Sequence, residues 1–289
     1  MATKQMEKET TERNSTTMIT ADNVVAGYRD KIVWRDANFA INRGEFVAVI
    51  GPNGAGKTTL FRLLLGLQHP LSGTIKIFNS KPKRGSSHIG YVPQRHIIDE
   101  DMNVECLELV RLAVSGKRWG FSFSDSDRKI AINTLQSVGA SEFAHRSLSA
   151  LSGGELQRIF LAEALVSDPD ILLLDEPLSN LDIRRGRELV ELVNSVVRAR
   201  NVTAFLVAHD INPLLPYLDN VIYIANGKVA TGSPKDVLTS QSLSSLYGIH
   251  IEVVRDSKGN LAIIGSGTEK ETDFIDGNIC VGCVPKKDR

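Results

Sequence analysis

Gly51, Gly56, Lys57 and Thr58 stand in the stretch GPNGAGKTT (51–59) with the spacing Gly-x-x-x-x-Gly-Lys-Thr. Small residues at such a turn let successive backbone N–H groups point inward around an anion, and a helix beginning there aims its positive end at the same charge. Lys57 adds a mobile cation suited to β- and γ-phosphates, and the Thr58 hydroxyl can ligate Mg²⁺. Asn53, Gly54 and Thr59 complete the cradle. A glycine turn between a strand and a helix has no use for the Lys-Thr pair, so the pattern points to phosphate binding.

Two further groups carry chemistry. In ILLLDEP, Asp175 and Glu176 follow an apolar run and would project from a strand's C-terminal edge. Asp175 suits a magnesium shell. Glu176 suits the in-line water, which must be oriented and relieved of a proton. In LSGGELQR (151–158), Ser152, Gly153 and Gly154 open a helical stretch. Read alone, a helix cap and a second anion receptor both fit. His209 follows the apolar run TAFLVA, where the residues alone suggest a satisfied strand-end histidine.

The elements that must position these residues can be read from periodicity. FVAVI (46–50) is a strand leading into the phosphate loop, and LFRLLLGL a helix leaving it. MITADNVVAGY, TIKIF and HIGYV make residues 18–95 a sheet region. Between about 97 and 167, NVECLELVRLAV and DSDRKIAINTLQSVG take helical spacing, and Leu156, Ile159, Phe160 and Ala164 fall on one helix face. Strands resume at ILLL and TAFLVA, alternating with helical segments as parallel strands with crossovers do. VIYIA-Asn226-Gly227-KVATG predicts a hairpin with a type I′ turn, and IEVVRD and LAIIG flank a second turn at 257–260.

Composition narrows the class. The chain has 289 residues, 42% hydrophobic and 24% charged, with 34 basic against 34 acidic side chains. That excludes wholesale disorder and disfavours a strongly basic nucleic-acid binder; no nucleic-acid partner is expected. The strand-sized apolar runs fall well short of the ~20 residues that span a bilayer. Residues 1–17, with balanced charge and no apolar core, read as a tail rather than a targeting signal, and residues 266–289 as a second tail. Three cysteines fit a reducing compartment better than a disulfide framework.

GPNGAGKTT, LSGGELQR and ILLLDEP, in that order, resemble the ATP-binding cassette family over about residues 18–255. The resemblance implies an α/β P-loop NTPase cassette: a RecA-like core sheet, an antiparallel β subdomain and an inserted helical subdomain within 18–265. It implies ATP and Mg²⁺ as cofactors, held by Thr58, Gln94 and Asp175 on the metal side, and hydrolysis of ATP to ADP and phosphate. Two cassettes would meet head to tail, so Ser152, Gly153 and Gly154 serve the partner's nucleotide and Asp182 crosses to the partner. Tyr28 resembles the aromatic that stacks on adenine, Gln94 the glutamine that touches Mg²⁺ and water, and His209 the γ-phosphate partner. Asn180 departs from the commoner small residue at its position.

A cassette without a membrane span resembles the engine subunit of an importer whose permease subunits are separate chains, placed at the cytoplasmic face of the membrane and served indirectly by an extracytoplasmic substrate-binding protein. Residues 95–110 are the expected docking neighbourhood. HIGYVPQRHIIDEDMNV and LYGIHIEVVRD are most similar to the ATP-binding subunits of manganese, zinc and iron importers. The rival is a soluble cassette ATPase in translation, DNA maintenance or cofactor assembly; a second cassette or long coiled coils would mark it, and neither is present. A P-loop kinase or GTPase has no use for LSGGELQR. Cys280 and Cys283 have zinc-like spacing but no companion ligand pair, and read as an incidental or redox-responsive pair.

Overall fold

The computed structural model describes residues 17–29, 31–94, 104–115, 124–179, 181–257 and 259–265. They fall into two compact units, one drawn from Met1–Asn42, Val47–Arg84 and Ala208–Arg289, the other from Arg43–Phe46 and Gly85–Val207. The tails expected at 1–17 and 266–289 lie, apart from Thr17, outside the described residues, as do Asn180, Cys280 and Cys283.

In the first unit, β1 (Thr17–Tyr28) pairs antiparallel with β2 (Lys31–Asn42) on one side and β4 (Ser72–Ile77) on the other. β2 is absent from the sequence reading. Its buried residues Trp34, Ala37, Phe39 and Ile41 alternate only after a slip at Asp36, whose φ is 56°, and that bulge hides the period of two. β3 (Phe46–Ile50) runs parallel to β8 (Asn220–Ala225), which turns back through Asn226 and Gly227 into β9 (Lys228–Gly232). Asn226 and Gly227 both take positive φ, 48° and 71°, as the type I′ turn requires.

α1 (Lys57–Leu64) follows β3 and buries Leu60, Phe61, Leu63 and Leu64. Each fully buried aliphatic or aromatic side chain of this kind contributes about 1.5–3 kcal/mol. After β9 come α6 (Pro234–Val237) and α7 (Ser240–Tyr247), then the antiparallel hairpin of β10 (Ile251–Arg255) and β11 (Leu261–Gly265). Asp256 shapes the hairpin turn by accepting from Asn260 N and Nδ2 at 2.8 and 2.7 Å.

In the second unit, β5 (Ile89–Val92), β6 (Ile171–Asp175) and β7 (Thr203–Val207) are parallel neighbours. Every residue of β6 and β7 is buried, the pattern of strands covered on both faces. The helices are α2 (Cys106–Ser115), α3 (Asp125–Ser137), α4 (Gly153–Leu165) and α5 (Ile183–Arg200). Ser124 and Asp127 close a capping box on α3. On α4, Ile159, Phe160 and Ala164 are buried as their spacing predicts, and Leu161, Ala162 and Leu165 are buried too; Leu156, in the first turn, is only half-buried. α4 lies so close to β5 that a Cβ on Gly90 would stand 2.3 Å from the Ala164 carbonyl oxygen.

Candidate functional site

Two glycines of the phosphate loop, Gly51 and Gly56, sit where a side chain would clash with the surrounding protein. Gly51 has φ 148°, and a Cβ there would come within 1.9 Å of the Ile224 carbonyl oxygen. Gly56, at the N-cap of α1, has φ 104° and lies under Val33 and the Trp34 indole, whose Nε1 donates to the Gly56 carbonyl at 3.3 Å. Gly54 also has a positive φ, 76°, but its missing Cβ faces space that is open within 4 Å. The loop is therefore tight against the protein at both ends and open in the middle. Asn53, Gly54 and Thr58 are exposed, whereas Thr59 is buried.

Lys57 is 6% exposed, and its Nζ donates to the Gly51 and Pro52 carbonyls at 2.7 and 3.1 Å. Both of these acceptors are uncharged carbonyl oxygens, which orient the ammonium without adding an opposite charge. The donor set of loop amides, one buried ammonium and an exposed hydroxyl fits a polyphosphate. Tyr28, at the end of β1, is 44% exposed. Arg62 of α1 donates to its hydroxyl at 2.8 Å, with the guanidinium 5.8 Å from the ring centroid. Arg62 lies within the apolar helical run LFRLLLGL and belongs to no motif, so nothing local in the sequence marks it. His209 is exposed, two residues beyond β7.

In the second unit, Asp175 closes β6 at 3% exposure, with the Tyr91 hydroxyl donating to its Oδ2 at 3.5 Å. Glu176 follows at φ 51°, a left-handed backbone uncommon for a non-glycine residue. Its carbonyl takes both the N–H and the hydroxyl of Ser179, at 3.1 and 2.8 Å, which fixes the turn. Its carboxylate accepts from Gln94 Nε2 at 2.5 Å. Gln94 lies two residues past β5, so parallel strands bring together two side chains named separately from the sequence.

Ser152 stands at the N-cap of α4. Its backbone N–H donates to Glu155 at 2.7 Å, and Arg146 donates to the same carboxylate at 3.2 Å. The Ser152 N–H is the main reason the Glu155 carboxyl titrates below its ordinary range. Gly153 and Gly154 face Leu181 and Arg185, with only 3.3 Å between a Cβ on Gly154 and Arg185 Cδ. Asp182 caps α5 by accepting from Arg185 N at 2.9 Å. A helix cap is thus realised at LSGG and also at Asp182. Arg146, which braces Glu155, belongs to no sequence motif.

The model of the ABC transporter family matches residues 34–179. The chain is 34% identical to the manganese transport system ATP-binding protein MntB of Bacillus subtilis, over 81% of this chain and 94% of that protein. It belongs to the ABC transporter family. Among solved structures, an inward-facing metal-chelate type ABC transporter superposes with TM-score 0.74 at 25% identity, covering 87% of this chain and 98% of that one. The dimeric post-hydrolysis cassette MJ0796 bound to ADP and Pi superposes with TM-score 0.64 at 29% identity, covering 75% and 98%.

The cassette fold expected from the motifs is the observed one: α/β, with parallel core strands and a separate antiparallel sheet. The chain is an ATP-binding, ATP-hydrolysing subunit. Among the described residues, no helix of this ABC protein is long and apolar enough to cross a membrane, and no group of three or more His, Cys, Asp and Glu could hold a metal ion. Cys106 is buried, its thiol donating to the Arg146 carbonyl at 3.1 Å. Burial raises its pKa, the opposite of a reactive cysteine.

Proposed function

We propose that this cassette powers a membrane importer for a divalent transition metal ion: manganese, zinc or iron. What supports the reading is that one chain carries both a phosphate cradle at 51–59 and a capped Ser-Gly-Gly helix start at 152–154, in a sequence that matches 94% of a manganese transport system ATP-binding protein.

In this reading Gly51, Asn53, Gly54, Gly56, Lys57, Thr58 and Thr59 hold the phosphates and Tyr28 stacks on adenine. Thr58, Asp175 and Gln94 hold Mg²⁺, which supplies charge neutralisation at the β- and γ-phosphates when bound. Glu176 orients the attacking water and takes its proton, with Gln94 holding the carboxylate in place, and His209 contacts the γ-phosphate. Ser152, Gly153 and Gly154 act on the nucleotide of a second copy, toward which Asp182 is also directed. The MJ0796 dimer supports that pairing.

The ATPase domain is residues 18–265, with a helical subdomain at about 97–167 and tails outside it. Closure of two copies moves their helical subdomains, and separate permease subunits docked near residues 95–110 follow; of that stretch, 95–103 lie outside the described residues. The site of work is the cytoplasmic face of the membrane, and a substrate-binding protein on the far side delivers the ion. Pull-down from membranes with the tagged chain, followed by uptake measurements over a panel of divalent metals, tests partner and cargo together. Recovery of a hydrophobic permease and ATP-dependent uptake of one of these metals is expected; recovery of only soluble protein or nucleic acid overturns the reading.

A further inference from the structure

Three residues beyond His209, the side-chain amide of Asn212 pairs with a single residue of the C-terminal hairpin. Its Nδ2 donates to the Leu261 carbonyl at 3.1 Å, and its Oδ1 accepts from the Leu261 N–H at 2.7 Å. The carboxamide imitates a neighbouring strand at the first residue of β11. Only a side chain with a donor and an acceptor side by side can make both bonds: aspartate loses the donor when ionised, and an aliphatic residue loses both.

The segment carrying His209 is held on either side. Upstream, Ala208 N donates to the Val49 carbonyl at 3.3 Å, on the strand that enters the phosphate loop. Downstream, the Asn212 N–H is taken by Asp210 Oδ1 at 2.9 Å, and buried Ile211 receives Leu214 N and Leu215 N on its carbonyl. The hairpin on which Asn212 leans is itself braced. Ser244 Oγ accepts from Ile251 N at 2.9 Å, Ser240 Oγ accepts from Val253 N at 2.9 Å, and Leu261 and Ile263 are buried.

We infer that Asn212 is a positioning residue for His209, and that through it the hairpin β10–β11 becomes part of the hydrolytic apparatus. This rests on the reading of His209 as the γ-phosphate contact. Hydrolysis is sensitive to ångström-scale placement of groups around the reacting phosphate, whereas ground-state ATP binding is carried by the loop at 51–59. Releasing the turn therefore slows turnover without loosening ATP.

The test uses the purified full chain. Asn212→Ala and Asn212→Asp are each expected to lower kcat by about tenfold while the KM for ATP and equilibrium ATP affinity stay within about twofold of the parent. In a His209→Ala background, Asn212→Ala is expected to change kcat by less than about twofold, because the group it positions is gone. A loss of the same size in both backgrounds, a kcat unchanged by either substitution, or a loss appearing mainly in KM overturns the inference. Full turnover by His209→Ala alone overturns instead the role of His209 on which it rests. If Asn212→Ala fails to fold, Asn212→Asp, with the same volume and the acceptor for the Leu261 N–H retained, carries both comparisons.

Discussion

Gln94 donates its side-chain amide to the Glu176 carboxylate at 2.5 Å, across the C-terminal ends of the parallel neighbours β5 and β6. The contact fixes a carboxylate whose backbone is already held in a left-handed conformation by the two bonds from Ser179. As the general base proposed above, Glu176 needs its oxygen placed before the water arrives, and the main chain and a second side chain both hold it. Glu176→Gln keeps the shape and removes the proposed base. Hydrolysis should fall by about 10²–10⁴-fold with ATP affinity retained, leaving an ATP-bound pair of chains visible by size-exclusion chromatography; normal turnover in that variant would remove Glu176 from its role.

Gln94→Ala separates positioning from proton transfer. The carboxylate keeps its chemistry but loses its brace, so kcat should drop by less than in Glu176→Gln, and adding Gln94→Ala to Glu176→Gln should cost little more. Steady-state kinetics of the two single variants and the double variant measure this directly. Fully additive losses would mean that Gln94 acts only through Mg²⁺, its other proposed task, and not by bracing Glu176.

These residues show what could be read from the chain and what could not. Motif residues announce themselves because their chemistry restricts residue type: Lys57, Asp175 and Glu176 had few alternatives. Hairpin turns were legible for the same reason, since Asn226-Gly227 tolerates the positive φ values that the turn demands. β2 was not legible, because the slip at Asp36 shifts Trp34 out of step with Phe39 and Ile41. Partners distant in sequence were hidden as well. Gln94 and Glu176 meet only when β5 and β6 pair, and neither Arg62 under Tyr28 nor Asn212 on Leu261 leaves any local trace.

Acidification should act on the start of α4 with a definite sign. The Ser152 N–H lowers the Glu155 pKa in the folded chain, so the carboxylate contributes stability at pH values above the ordinary glutamate range. That contribution is lost as pH falls through the ordinary value and then through the lowered folded one. Glu155→Gln should therefore melt below the parent at neutral pH, and the gap should narrow as pH is lowered into the range where the parent's carboxyl protonates. A gap independent of pH in thermal melts would mean that the charge of Glu155 plays no part in the cap.

Gly54 and Gly56 should respond differently to the same added methyl. Alanine at 56 must adopt φ near 104° with its Cβ 2.4 Å from Val33 Cγ1 and 2.8 Å from the ring of buried Trp34, so backbone strain and a clash act together. A loss of about 1–3 kcal/mol from the backbone alone is expected, and more from the clash, measurable by urea denaturation. Alanine at 54 meets nothing within 4 Å and keeps only the smaller cost of a left-handed residue, about 1 kcal/mol. Its methyl instead projects into the open middle of the loop, where the proposed cradle brings phosphate oxygens to the backbone amides. Gly54→Ala should fold with near-parent stability yet bind ATP at least tenfold more weakly by nucleotide titration, an estimate of roughly 1.4 kcal/mol in binding. Parent-like affinity in that variant would mean that the open side of Gly54 is not where the phosphates lie.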